Sequence, residues 1–318
     1  MDVLVRLESE RTLKEMSLPK GGMVLIDDAQ QTELSRRIQT LQPAMSTGGS
    51  AGNAMLALAM LGVQPGFIGR VADDDMGRFF RQNCLECGIE ARLLTAEGHS
   101  GVANTFITPD AERTFATYLG VAGGLDANDI TPDLFRGYQL LHIEGYLVQD
   151  NSLIEAVCRV AKEMGLKTSI DLASYNVVSE NLPMLRNLVA KYIDIVFANE
   201  EESAAFTEGK SPEEALLDIA SMADVAVVKL GKRGAMAMCG GEKVQVPGRS
   251  QQVVDTTAAG DFFAGGFLYA YTHGATLDRC LEMGTLLASN IIQVVGTRLP
   301  EEKWEDIRRE AVKIIHNS

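Results

Sequence analysis

The feature that most narrows the fold is an alternation of short apolar runs and amphipathic segments in the second half of the chain. Runs at 140–143, 168–171, 193–198 and 225–229 read as strands, and segments at 153–164, 182–190, 200–207 and 212–222 read as helices. Strands joined through helices by short links lie parallel, in a sheet covered by helices on both faces. The carboxyl ends of such strands are where an open α/β sheet places its ligands. With 318 residues, 46% of them apolar, the chain can bury a large core. No internal repeat, low-complexity tract or long linker divides it.

The stretch with the most chemistry follows these units. Val253-Val254 reads as a strand end, 255–260 as a turn of small residues, and Asp261 onward as a helix to about Tyr271. A strand, a small-residue turn and a helix aim backbone N–H groups at one point with the helix dipole behind them, which suits a phosphate. A carboxylate at that point, Asp261, makes sense as the group that takes a hydroxyl's proton while its oxygen attacks phosphorus. The pattern indicates phosphoryl transfer to an alcohol. A tight turn with no chemistry is the plain alternative.

Other stretches add to this. Ser46-Thr47-Gly48-Gly49-Ser50-Ala51-Gly52-Asn53 precedes a helix at 54–61 and lets a ligand approach the backbone closely. A short strand is expected at 23–26 and a buried one at 65–71, after which Asp73-Asp74-Asp75 caps a helix rather than binding a cation. A hairpin, 102–108 and 113–119 around the turn 109–112, leaves the main sheet. Asn199 and Glu202, three apart on an opening helix turn, point to one side. Their oxygens with water suit Mg²⁺, and a solvated acidic helix start is the alternative. Gly231 and Gly234 bound the turn after Lys229, and 286–295 reads as an apolar helix.

Asp255-Thr256-Thr257-Ala258-Ala259-Gly260-Asp261 resembles the second signature of the PfkB (ribokinase-like) kinases, Asp-Thr-x-Gly-Ala-Gly-Asp, and departs from it at Ala258, where the family has glycine. Gly48-Gly49 to Asn53 resembles the first signature, Gly-Gly-x-x-x-Asn, and the likeness runs over nearly the whole chain, towards bacterial adenosine-kinase-like members. The resemblance implies an α/β fold, a ribokinase-like parallel-sheet three-layer sandwich. It implies a single domain over 1–318, with a small β-sheet lid from segments of about 3–47 and 91–121. Asp261 would be the base, with Ala258, Ala259 and Gly260 forming the anion hole. Asp2, Gly48, Gly49 and Asn53 would bind the acceptor's hydroxyls. ATP would lie around Lys229, Gly231, Gly234 and Asn290, the last with a place in a core helix as its alternative. Asn199 and Glu202 match the family's Asn-x-x-Glu, which organises Mg²⁺ and its waters. Asp255 either holds the turn or binds a monovalent cation, K⁺, through its backbone. In the family an apolar, glycine-containing run precedes the aspartate matched by Asp2. Its lack here leaves open a late start, a misassigned start and, for Asp2, the role of a frayed terminal acid.

Composition excludes several classes. A net charge of −14 with no basic cluster argues against nucleic acid and anionic membrane as partners. The partner expected is a small nucleoside or sugar, with the chain a monomer or a homodimer through the lid. Five scattered cysteines suit a reducing cytoplasm, and Cys84 and Cys87 suit a packed helix face rather than zinc. No signal peptide or membrane-spanning run is visible, so a cytoplasmic location is expected. Neither a Walker loop nor a Rossmann glycine pattern is present, which removes the main support for P-loop kinases and hydride-transfer enzymes. The reading is an ATP-dependent kinase acting on a hydroxymethyl group of an adenosine-like nucleoside or sugar. A sugar kinase of ribokinase or fructokinase type and a non-catalytic sugar- or nucleoside-binding protein stay open. Phe106, Phe115 and Tyr118 are candidates for a slot that holds a nucleoside base, with the lid's own core as their alternative.

Overall fold

The computed structural model describes residues 1–46, 48–110 and 112–316. Thr47 of the glycine-rich stretch and Ala111 of the expected 109–112 turn lie outside the described residues. The chain divides into two compact units, Met1–Gly52 with Gln64–Leu125, and Asn53–Val63 with Asp126–Ser318.

The first unit begins with β1 (Asp2–Arg6), α1 (Arg11–Glu15), β2 (Met23–Leu25), α2 (Asp28–Gln39) and β3 (Ala44–Ser46). Helix α3 (Ser50–Met60) starts in this unit and continues into the second. Then come β4 (Gly66–Ala72), α4 (Asp75–Glu86), β5 (Glu90–Ala96), β6 (Val102–Ile107) and β7 (Arg113–Tyr118). Five strands form one sheet in the order β2-β7-β6-β1-β3, while β4 and β5 pair separately and in parallel. Period-two burial decides which faces pack: Val3 and Val5 of β1 go inward with Val102, Phe106 and Ala116, and α1 and α2 add Leu13, Leu34 and Ile38. This unit takes in β4 and α4 as well as the segments expected for a lid. Asp74 caps α4, as expected, by accepting from the Gly77 N–H.

The second unit runs β8 (Leu140–Glu144), α5 (Asn151–Glu163), β9 (Lys167–Asp171), α6 (Tyr175–Glu180), α7 (Leu182–Tyr192) and β10 (Ile195–Asn199). It continues with α8 (Glu200–Phe206), α9 (Pro212–Ala220), β11 (Val225–Lys229), β12 (Ala235–Cys239) and β13 (Glu242–Val246). Three helices follow, α10 (Ala259–Thr272), α11 (Leu277–Ile291) and α12 (Glu301–His316). Strands β8 to β11 are parallel, and the expected parallel sheet is extended by antiparallel β12 and β13. The link from Lys229 to Ala235 is too short for a helical crossover, so the chain can only turn back.

Two local expectations fail. Val253 and Val254 are β-branched but form no strand; they are 59% and 44% exposed, and the Val254 N–H bonds to the Ile292 carbonyl at 2.7 Å. The helix expected at 286–295 is α11, which starts earlier and ends at Ile291. Its first turns carry Asp278, Arg279 and Glu282, which hide the period in a reading for apolar runs.

Candidate active site

Register puts the ends of three parallel strands to one use. Asp171 is opposite Phe197, and Lys229 is opposite Asn199, two residues beyond Phe197, so all four share a face of the sheet. Helix α10 covers that face, with Phe267 edge-on to Phe197 at 5.2 Å. Glycines let α10 lie close to its neighbours. A Cβ on Gly265 would come within 2.7 Å of the Ala57 Cβ and 2.9 Å of the Ala54 carbonyl of α3, and one on Gly266 within 2.5 Å of the Met283 carbonyl of α11. One turn earlier on each of the first pair of helices, the same approach brings Asn53 to Asp261, whose Oδ2 accepts from Asn53 Nδ2 at 2.8 Å. Asn53 is 5% exposed, so the carboxylate's orientation is held by a residue that cannot wander.

The start of α10 has the geometry of an anion site. Ala258 stands at its N-cap with φ 58, in the left-handed region. The Ala259 N–H is turned to the Thr256 carbonyl at 3.3 Å, which departs from its expected part in the anion hole, whereas no acceptor among the described residues takes the Gly260 N–H. Both Asp255 carboxylate oxygens hold backbone, Oδ1 accepting from Thr257 at 3.0 Å and Oδ2 from Gly296 at 2.8 Å.

Asn199 and Glu202 do point to one side and are bound to each other. Asn199 Oδ1 accepts from the Glu202 N–H at 2.8 Å, while Glu202 takes the Asn199 N–H at 2.8 Å and its Nδ2 at 2.7 Å. Glu202 is only 4% exposed, which sets aside the solvated helix start. Burial pushes its carboxyl up to about 7, Lys229 pulls it down and Asp171 pushes it further up. Lys229, expected beside the nucleotide, has its ammonium on Asp171 Oδ2 at 2.6 Å. Burial opposes its charge, yet Asp171, Glu202 and Asp261 hold its pKa above the ordinary lysine value. One buried cation facing three carboxylates leaves negative charge of the kind a hard divalent cation matches. Among the described residues no cluster of three or more His, Cys, Asp or Glu could hold a metal alone. Such an ion would therefore keep waters and take phosphate oxygens, as Mg²⁺ does.

The remaining expected residues lie as follows. In the first unit Gly48 has φ 54, and a Cβ there would sit 2.0 Å from the Asp2 carboxyl carbon, so only glycine lets the acid pack on that turn. Burial raises the Asp2 pKa, with the N-terminal amine and Arg113 lowering it. Gly49, at φ 80, has open space around it. In the second unit Gly231 is likewise open, whereas a Cβ on Gly234 would strike the Val246 carbonyl at 2.0 Å, so Gly234 serves the hairpin. Asn290 donates from Nδ2 to the Leu286 carbonyl of its own helix at 2.9 Å. Phe106 is fully buried in the first unit's core, which removes it as a base-stacking residue, while Phe115 and Tyr118 are half-buried. Cys84 is buried on α4, and burial raises its thiol to about 11. His142 is half-buried; desolvation lowers it to about 4, so it is neutral near pH 7, and it packs on Phe197. Asp171 is not among the expected residues, and its one signal in the sequence is an acid on the last residue of a parallel strand.

Residues 18–304 match the model of the pfkB family carbohydrate kinases. An adenosine kinase from Sinorhizobium meliloti is 32% identical, with a TM-score of 0.85 over 98% of this chain and 96% of that one. A probable sugar kinase from Rhizobium etli is 31% identical, with a TM-score of 0.86 over the same shares. The 5-dehydro-2-deoxygluconokinase of Geobacillus thermodenitrificans is 30% identical over 83% of this chain and 84% of that protein. The fold is ribokinase-like α/β, with mixed sheets flanked by helices, and no helix among the described residues is long and apolar enough to cross a membrane. This chain belongs to the pfkB family of carbohydrate kinases, enzymes that phosphorylate small sugars or nucleosides.

Proposed function

We propose that the protein transfers the γ-phosphoryl group of ATP to the hydroxymethyl group of a purine nucleoside, adenosine foremost. The observation that carries the reading is the Asp261 carboxylate at the N-terminus of α10, fixed by Asn53 at 2.8 Å beside the open Gly260 N–H. Asp261 takes the hydroxyl proton as the oxygen attacks phosphorus, and the Gly260 N–H with the helix dipole steadies charge on the phosphoryl oxygens. Asn199 and Glu202 would hold Mg²⁺ through water, and the ion would supply neutralisation of the phosphates. The likeness to the Sinorhizobium adenosine kinase favours a nucleoside. The second reading, a free sugar as acceptor, is favoured by the Rhizobium and Geobacillus relatives.

Two experiments test the acceptor and the base. The protein with ATP, Mg²⁺ and, in turn, adenosine, ribose and fructose should give the highest kcat/KM with adenosine; a higher value for a free sugar moves it to the sugar kinases. Asp261→Asn should bind ATP normally and lose about 10²–10⁴-fold in kcat. Near-normal turnover in that variant removes Asp261 as the base.

A further inference from the structure

Asp171 ends β9 and Lys229 ends β11, and their ion pair at 2.6 Å bridges the end of β10 between them. The pair is nearly dry, with 15% of the lysine side chain and 8% of the aspartate exposed. Such a pair is a poor source of stability, because taking two charges out of water costs about what their attraction returns. What the charge does at this place explains it better. The other oxygen of Asp171 accepts from the Ala173 N–H at 3.2 Å, and Ala173 is held at φ 67, a conformation unfavourable for alanine. One carboxylate thus grips the lysine with one oxygen and a strained turn with the other. Lys229 reaches the first turn of α10: its Nζ is 3.2 Å from where a Cβ on Gly260 would stand. With no side chain there, the ammonium can lie against Gly260, whose N–H no described residue takes. The Asp171, Glu202 and Asp261 carboxylates keep it protonated despite burial.

Resting on the kinase reading above, we infer that Lys229 is a catalytic cation that, with the Gly260 N–H, binds the phosphoryl group in transit, and that Asp171 is the residue that positions it. In the step, the bond from the phosphoryl group to the donor's oxygen breaks as the bond to the acceptor oxygen forms. The acceptor's proton goes to Asp261, and Lys229 keeps its own throughout. A fixed donor aimed at developing charge does not have to reorganise when the charge appears, which is why its removal lowers kcat more than binding.

The test uses the full chain with ATP, Mg²⁺ and the best acceptor. Lys229→Gln should lower kcat about 10²-fold with the acceptor's KM within about two-fold, and Lys229→Arg should recover part of the loss. Asp171→Asn should lower kcat about ten-fold, and adding it to Lys229→Gln should cost nothing more, because it acts through the lysine. Binding gives a readout free of turnover: a non-hydrolysable ATP analogue should bind the wild type more tightly than ADP does, and Lys229→Gln should erase that preference. A merely structural ion pair would lower Tm in both single variants while the folded protein kept its kcat and its preference; that result overturns the inference. Failure of the kinase reading is seen separately, as a wild-type protein that binds neither nucleotide, and it overturns this inference with it.

Discussion

Two alanines in turns, Ala258 at φ 58 and Ala173 at φ 67, sit where glycine would be unstrained. A left-handed alanine costs about 1–2 kcal/mol, and glycine's freer unfolded chain takes back about 0.4–1 kcal/mol. In mid-range the strain outweighs the chain entropy, so Ala258→Gly should stabilise by about 1 kcal/mol, raise Tm by about 2 °C and leave kcat equal or higher. A fall in either quantity would mean that the methyl packs usefully. The departure from the family pattern is legible in the sequence, but its conformation is not, because a dihedral angle is a property of the closed turn. Glu202 makes a second residue-scale case. Its carboxyl is raised by burial to about 7 from 4.5. Between those values the folded state keeps a proton that the unfolded chain has released, so stability from this group is present below the lower value and lost as pH rises through the upper one. In metal-free protein the Tm difference between wild type and Glu202→Gln should therefore move against wild type from pH 5 to 7.5. An unchanged difference would show that Glu202 titrates normally.

Elements are legible in the sequence where their period is carried by apolar residues alone. Strands β8 to β11 and the hairpin of β6 and β7 lie within a few residues of expectation, because buried parallel strands and half-buried hairpins write their burial directly into the sequence. The strand expected at Val253-Val254 fails for the opposite reason: those side chains are exposed, and local propensity there meets no partner strand. The close approach of α10 to its neighbours is written only as two glycines, Gly265 facing α3 and Gly266 facing α11, and a glycine does not name the partner it admits. Gly265 also gives a prediction in which two effects compete. Alanine in a helix interior is worth about 1 kcal/mol over glycine. Its methyl, however, would stand 2.7 Å from the Ala57 Cβ and 2.9 Å from the Ala54 backbone carbonyl. Overpacking against backbone costs about 1–3 kcal/mol and has no flexible side chain to yield, so it prevails. Gly265→Ala should lower Tm and also kcat, since parting the two helices draws Asn53 away from Asp261. A more stable variant with full activity would show that the helices separate without loss.

For the molecule as a whole, the site is legible where it is written as a motif and hidden where distant strands assemble it. Asp261 and the Asn199–Glu202 pair stand in short local patterns, but Asp171 meets Lys229 58 residues away, and only the register of three strands brings them together. Net charge acts at the same scale. At −14 the chain carries a field that repels a nucleotide polyanion before any contact forms. Locally, the charge of Lys229 is outnumbered by the carboxylates around it, and Arg233 is paired with Glu200, so little net positive charge is left to counter that field. The screening length shrinks from about 30 Å at 0.01 M salt to about 8 Å at 0.15 M, which hides the distant acids from the approaching nucleotide but hardly alters the buried site. At fixed free Mg²⁺, kcat/KM for ATP should therefore rise by about two-fold or more over that range, the reverse of what attraction to a basic cleft produces. The neutral acceptor's kcat/KM, measured in the same series, should stay flat. If kcat/KM for ATP falls with salt instead, Lys232 and Arg233 beside the Gly231 turn outweigh the global charge, and attraction at the site governs the encounter.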